Sequence, residues 1–88
     1  MDTVERERLE QDLRALIAEL AEVDPSEVVP DRPLRELGVD SLMVLELVAF
    51  VEKRTRIEIP ESEIGKVRTF ADILTRIRNG WSGGGPSA

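Results

Sequence analysis

Between Val4 and Ala21 the chain places Leu9, Leu13, Leu16, Ile17 and Leu20 at three- and four-residue intervals, with Glu, Arg and Gln filling most positions between them. A helical turn takes about 3.6 residues, so these side chains share one face, and the spacing predicts a first amphipathic helix. Asp2 followed by Glu5 gives a capping-box-like start, and Asp24-Pro25-Ser26 marks the end, because a residue before proline avoids helical backbone angles. From Val23 to Val39 the periodicity disappears. Pro25, Pro30 and Pro33 rule out one regular helix there, and the stretch exceeds the usual connection of about four to six residues. Val28, Val29, Leu34 and Leu37 offer apolar anchors for such a loop, and Leu34 to Leu37 reads as a short turn closed by Gly38.

A second helix is expected from Ser41 to Thr55, where nearly every position from Leu42 to Val51 is apolar. Leu42, Leu45 and Ala49 fall near one line of that helix, and Val44, Leu47, Val48 and Val51 on another. A single buried stripe does not account for both, so the helix is expected to be central in the bundle and also partly exposed for a partner. Arg56-Ile57-Glu58-Ile59-Pro60 alternates as an extended connector, and Pro60 to Ile64 starts a short helix that Gly65 limits. Thr69 and Asp72 form a T-x-x-D cap, after which Phe70, Ile73, Leu74 and Ile77 recur at helical spacing until Gly80. The result is an all-α expectation: a four-helix bundle with three main helices, a short third helix and a long first loop. Residues 1–80 form the domain, and the Gly/Ser-rich segment 81–88, with Trp81 at its start, reads as a flexible tail or linker.

Composition narrows the function classes. Eighty-eight residues make one small domain. Such a domain buries roughly 60 to 65% of its unfolded surface and leaves little room for an enclosed catalytic cavity. With no Cys and no His, disulfides, thiolate metal sites and the commonest general base are absent from the sequence. Twelve basic against eighteen acidic side chains give a formal charge of -6, which opposes binding to nucleic acid or anionic lipid and favours basic protein partners. The apolar run Leu42–Val51 is too short to span a bilayer, and the charged start Met1-Asp2-Thr3-Val4-Glu5-Arg6 lacks a secretory apolar core. A cytoplasmic monomer is the expectation.

The chemistry concentrates at Leu37-Gly38-Val39-Asp40-Ser41-Leu42. Asp40 and Ser41 are both good N-caps, but one helix start needs one, so an Asp40 cap would leave the Ser41 hydroxyl free in the first turn. A phosphodiester placed there would meet the positive end of the helix dipole and unpaired backbone N–H groups. Ser41 is then either the attachment point of such a group or a plain helix cap. A serine hydrolase is disfavoured, since no histidine is present to activate the hydroxyl and no Gly-x-Ser-x-Gly elbow surrounds it.

Asp-Ser-Leu alone would occur by chance in roughly 3% of chains this long. Here it sits in a wider frame: Leu34-x-x-Leu37-Gly38-Val39-Asp40-Ser41-Leu42, then Glu46-Leu47-Val48, then Ile57-Glu58-Ile59-Pro60. Over about residues 3 to 80 the chain resembles the acyl and peptidyl carrier proteins. The resemblance implies that Ser41 receives 4'-phosphopantetheine from coenzyme A and that the arm's terminal thiol carries an acyl group as a thioester. The protein would then be a substrate carrier and not an enzyme. Its partners would be a phosphopantetheinyl transferase and the acyl-loading and acyl-processing synthase enzymes.

By the same resemblance, Asp40, Leu42, Met43, Glu46, Glu52 and Lys53 are candidates for partner recognition, and Leu42, Leu47, Val48, Ile59, Ile64 and Val67 for the lining of an acyl-chain pocket between the second and third helices. Met43 and Lys53-Arg54 stand where the acidic fatty-acid type often has acids, which points to a partly apolar docking patch and to carriers of polyketide or nonribosomal peptide pathways. Lys53 and Arg54 also suit the negative end of the helix dipole. Gly38-Val39-Asp40 looks more like acyl than peptidyl or aryl carriers, which more often place a second Gly before the Asp. An unmodified helical interaction module using the apolar second helix is the alternative from another class.

Overall fold

The computed structural model describes residues 3–78. Four α-helices follow in order: α1 (Thr3–Ala21), α2 (Ser41–Thr55), α3 (Glu61–Ile64) and α4 (Phe70–Arg78), with two 3-10 turns, Pro25–Glu27 and Leu34–Leu37, in the long connection after α1. This is the all-α bundle of three main helices and one short one that the periodicity predicts. The expected Asp2 cap, the stop at Gly80 and the tail 81–88 lie outside the described residues.

Helix α1 buries Leu9, Leu13, Ile17 and Ala18, with Leu16 and Leu20 partly covered. It ends at Ala21, where the apolar spacing stops, three residues before the Asp24-Pro25 marker. Glu22 adopts a left-handed conformation (φ 59°), its N–H bonds to the Glu19 carbonyl at 3.3 Å, and the Val23 N–H reaches back to the Ala18 carbonyl at 3.0 Å. This is a Schellman closure made without glycine. Asp24 instead opens the next turn, its carboxylate accepting from the Ser26 N–H at 2.9 Å.

The long loop is stitched to the far side of the bundle by backbone as well as by side chains. Leu34 N–H donates to the Arg68 carbonyl at 2.9 Å, Ala71 N–H donates to the Pro30 carbonyl at 2.8 Å, and Pro33 and Thr69 form an isolated antiparallel bridge. Val28, Leu34 and Leu37 are buried as anchors, and Val39 joins them, whereas Val29 is left 39% exposed. The Thr69–Asp72 signature closes as a complete capping box. Thr69 Oγ1 accepts from the Asp72 N–H at 3.1 Å, while Asp72 Oδ2 accepts from the N–H groups of Thr69 at 3.0 Å and Arg68 at 2.8 Å. The α4 positions Phe70, Ile73, Leu74 and Ile77 are all buried in the single core they share with α1 and α2, which holds no buried polar side chain among the described residues.

Candidate functional site

The site is built by how α2 begins. Gly38 takes a left-handed conformation (φ 94°) that an L side chain rarely adopts, and its N–H closes the preceding turn on the Arg35 and Leu34 carbonyls. Val39, 4% exposed, then pins the chain to the core, and Asp40 follows in extended geometry. The Asp40 carboxylate accepts from the Met43 N–H at 2.9 Å, and its carbonyl accepts from the Val44 N–H at 3.0 Å. Asp40 is thus the N-cap.

Ser41 is left as the first residue of α2, exposed, and among the described residues its hydroxyl has no hydrogen-bond partner. The N–H groups of Ser41 and Leu42 are likewise unpaired there. A phosphoryl ester at Ser41 therefore fits the residues present. The hydroxyl need not be taken from a structural bond, the helix dipole favours the added negative charge, and two N–H donors lie beside it.

Along α2 the exposed line is apolar near the serine and charged beyond. Leu42 is 72% exposed and Leu45 48%, large values for leucines on a small domain. They line a groove with Asp40, Met43, Glu46 and Ala49, which continues past Phe50, Glu52 and Lys53. Of the residues singled out for partner recognition, Asp40, Leu42, Glu46 and Lys53 are exposed and Met43 is half-buried.

Glu52 has a different setting. It is half-buried, and its carboxylate accepts the Ile59 N–H at 2.7 Å, so it ties α2 to the connector before α3. Arg54, read from the sequence as a dipole partner, reaches across to α1: its guanidinium lies 2.9 Å from the Asp12 carboxylate and 5.4 Å from the Phe50 ring centroid.

Of the residues considered for sheltering an acyl chain, Leu47, Val48, Ile59 and Val67 are buried in the core and Ile64 packs at its edge. Leu42 is separated from them. It precedes Leu47 by five positions, a rotation of about 140° around the helix, which turns it to the open face. Its place is in the α2 groove and not between α2 and α3. Among the described residues, no group of three or more His, Cys, Asp or Glu side chains is arranged to hold a metal ion, and no helix is long and apolar enough to cross a membrane.

Fold and site together define a small helical bundle that presents the exposed Ser41 hydroxyl at the capped start of a main helix. The comparisons with known proteins agree with that class. Residues 11–77 match the family model described as a phosphopantetheine attachment site. The chain is 38% identical over 78 residues to an acyl carrier protein of Helicobacter hepaticus, covering 88% of this chain and 95% of that protein. It is 36% identical over 70 residues to an acyl carrier protein of Helicobacter pylori, covering 78% and 90%. It is also 32% identical over 87 residues to a non-reducing polyketide synthase of Emericella nidulans, where the match takes in 99% of this chain and only 3% of the synthase. The chain belongs to the acyl carrier protein family, and its function is that of a carrier and not of an enzyme.

Proposed function

We propose that Ser41 is the residue that carries 4'-phosphopantetheine, and that the holo protein presents acyl groups as thioesters to the enzymes of a polyketide or fatty-acid-type assembly pathway. The observation that carries the assignment is the division of labour at the start of α2: Asp40 supplies the cap and leaves Ser41 exposed without a partner among the described residues. Ser41 Oγ would lose its proton and become the bridging oxygen of a phosphodiester, with the nucleotide portion of coenzyme A as the leaving group. The arm supplies a thiol, which the sequence itself lacks, having no Cys. The unpaired N–H groups of Ser41 and Leu42 and the positive end of α2 hold the phosphodiester at the surface, while Asp40 keeps the helix start capped.

The α2 groove is the docking face for the phosphopantetheinyl transferase and for acyl-loading and acyl-processing enzymes. Leu42, Met43 and Leu45 supply the apolar contact, and Asp40, Glu46 and Lys53 the charges that set orientation. The stand-alone acyl carrier proteins and the polyketide synthase among its relatives favour an acyl over an aminoacyl cargo. The holo chain is expected to accept an acyl group from an acyl-coenzyme A-dependent transferase and no aminoacyl group from an adenylating enzyme. Loading by the adenylating enzyme alone would overturn the acyl reading.

A further inference from the structure

The third helix is held in place by polar groups more than by its own burial. It is four residues long, none of them fully buried, and its N-cap, Pro60, makes no side-chain cap bond. On its N-terminal side the connector is fastened at three points to the end of α2. Ile59 N–H donates to the Glu52 carboxylate at 2.7 Å, and Ile57 N–H donates to the Thr55 hydroxyl at 3.2 Å, while that hydroxyl donates to the Val51 carbonyl at 2.8 Å. Arg56, left-handed at φ 62°, returns its N–H to the Glu52 carbonyl at 2.6 Å. On the other side Glu63 pairs with Arg76 of α4 at 3.2 Å, and the same guanidinium donates to the Asp72 carbonyl at 3.1 Å. The connector's own Ile59 side chain is buried in the same core cluster as Leu47, Val48, Val51 and Val67.

We infer that Glu52 is a positioning residue for the cargo: its carboxylate keeps the connector and α3 closed over the apolar residues of α2, and so sets how readily an acyl chain enters between them. The inference rests on the carrier reading for its cargo, though the latch is a property of the apo chain. A carboxylate accepting a backbone N–H makes one of the stronger hydrogen bonds available to a protein. Without it the part-buried Ile59 N–H loses its acceptor, and water replaces that acceptor most fully when the connector moves outward. The side chain of Ile59 would leave the core with it, and the opening would lie beside Leu47 and Val48. Of the fastenings, the charged Glu52 acceptor is the shortest side-chain bond to the connector, so its loss shifts the closed-state population most.

Amide hydrogen exchange on the unmodified protein tests the latch without requiring Ser41 to be modified. In Glu52→Ala the amides of Ile59 and of α3 should exchange about 10-fold faster or more, with those of α1 and α4 unchanged, whereas Glu52→Gln, which keeps an acceptor oxygen, should stay near wild type. Equal acceleration throughout the domain, or no change at Ile59, would overturn the proposal. The cargo half is read separately on protein whose Ser41-linked phosphopantetheine arm bears an octanoyl thioester. Methyl resonances of Leu47, Val48 and Ile59 should shift more on octanoylation in Glu52→Ala than in wild type, and identical shifts would overturn it. Absence of loading on wild-type protein would instead count against the carrier assignment and leave the apo exchange result standing. Should Glu52→Ala fail to fold, Thr55→Val removes the second fastening, at Ile57, and should speed exchange in the same segment; unaltered exchange there would count against the latch.

Discussion

At the scale of single residues, the site depends on Asp40 doing the capping so that Ser41 does not. Asp40→Ala removes the acceptor for the Met43 N–H. Loss of an N-cap of this kind costs about 1 kcal/mol. For a domain of this size that corresponds to a fall in Tm of roughly 4–8 °C. Asp40→Asn should recover most of it, and thermal melts of the three proteins check the expectation; an unchanged Tm for the alanine variant would mean that Ser41 or water takes over the cap. The Asp-Ser pair was legible in the sequence because a cap and its helix are neighbours. The bond from Glu52 to Ile59 was not: it spans seven positions across a left-handed turn at Arg56, and an acid followed by Lys53 and Arg54 reads equally well as a solvated face. Leu42 shows a further limit. Its place in the frame fits both an exposed and a sheltered role, and the direction of its side chain around α2 decides for the exposed one.

At the scale of elements, two helix faces make separate predictions. The capping box of α4 ties that helix start to pH. Burial works to raise the Asp72 pKa, but the N–H groups of Arg68 and Thr69 and the Thr69 hydroxyl outweigh it and hold the carboxyl below its ordinary value of 3.8. A depressed folded-state pKa means that the carboxylate's contribution to stability is fully present above the unfolded value and is lost as pH falls through the folded one. Melts in acid should therefore show wild type losing more stability below about pH 4 than Asp72→Asn does; parallel curves would rule out this cap as an acid-sensitive element.

The exposed line of α2 behaves oppositely. Replacing Leu42 and Leu45 by Ala removes little buried area, so Tm should hold, while the KM for acyl loading by a cognate enzyme should rise several-fold with kcat largely kept. A loss of Tm with normal loading would return those leucines to the core. The two lines of α2 and the extent of α1 to Ala21 could be read from spacing because helical phase is fixed, whereas the way α1 closes at Glu22 could not, since a Schellman closure at a non-glycine residue leaves no local signature.

At the scale of the whole molecule, the three main helices and the long loop converge on one core, and the loop is as much a part of it as the helices. Phe70, 1% exposed at the start of α4, sits where the loop's backbone meets that helix. Phe70→Ala should destabilise the domain by about 3–5 kcal/mol, a large share of what a domain this small has, and denaturant unfolding measures it. The helices were predictable because each carries its own periodicity. The stitching of Pro30, Pro33 and Leu34 to residues 68–71 was not, because a backbone pairing between distant segments has no periodicity to reveal it. Net charge acts at this scale too: with a formal charge of -6, association with a basic partner should weaken as salt rises, and Glu46→Lys should flatten that dependence.

The central claim is that Ser41 exists to be modified. Intact-protein mass spectrometry after incubation with coenzyme A and a broad-specificity phosphopantetheinyl transferase tests it most directly. The account predicts a gain of one phosphopantetheine group, located on the peptide containing Ser41, and no gain for a folded Ser41→Ala variant. An unchanged wild-type mass with several transferases, or an equal gain in Ser41→Ala, would contradict it.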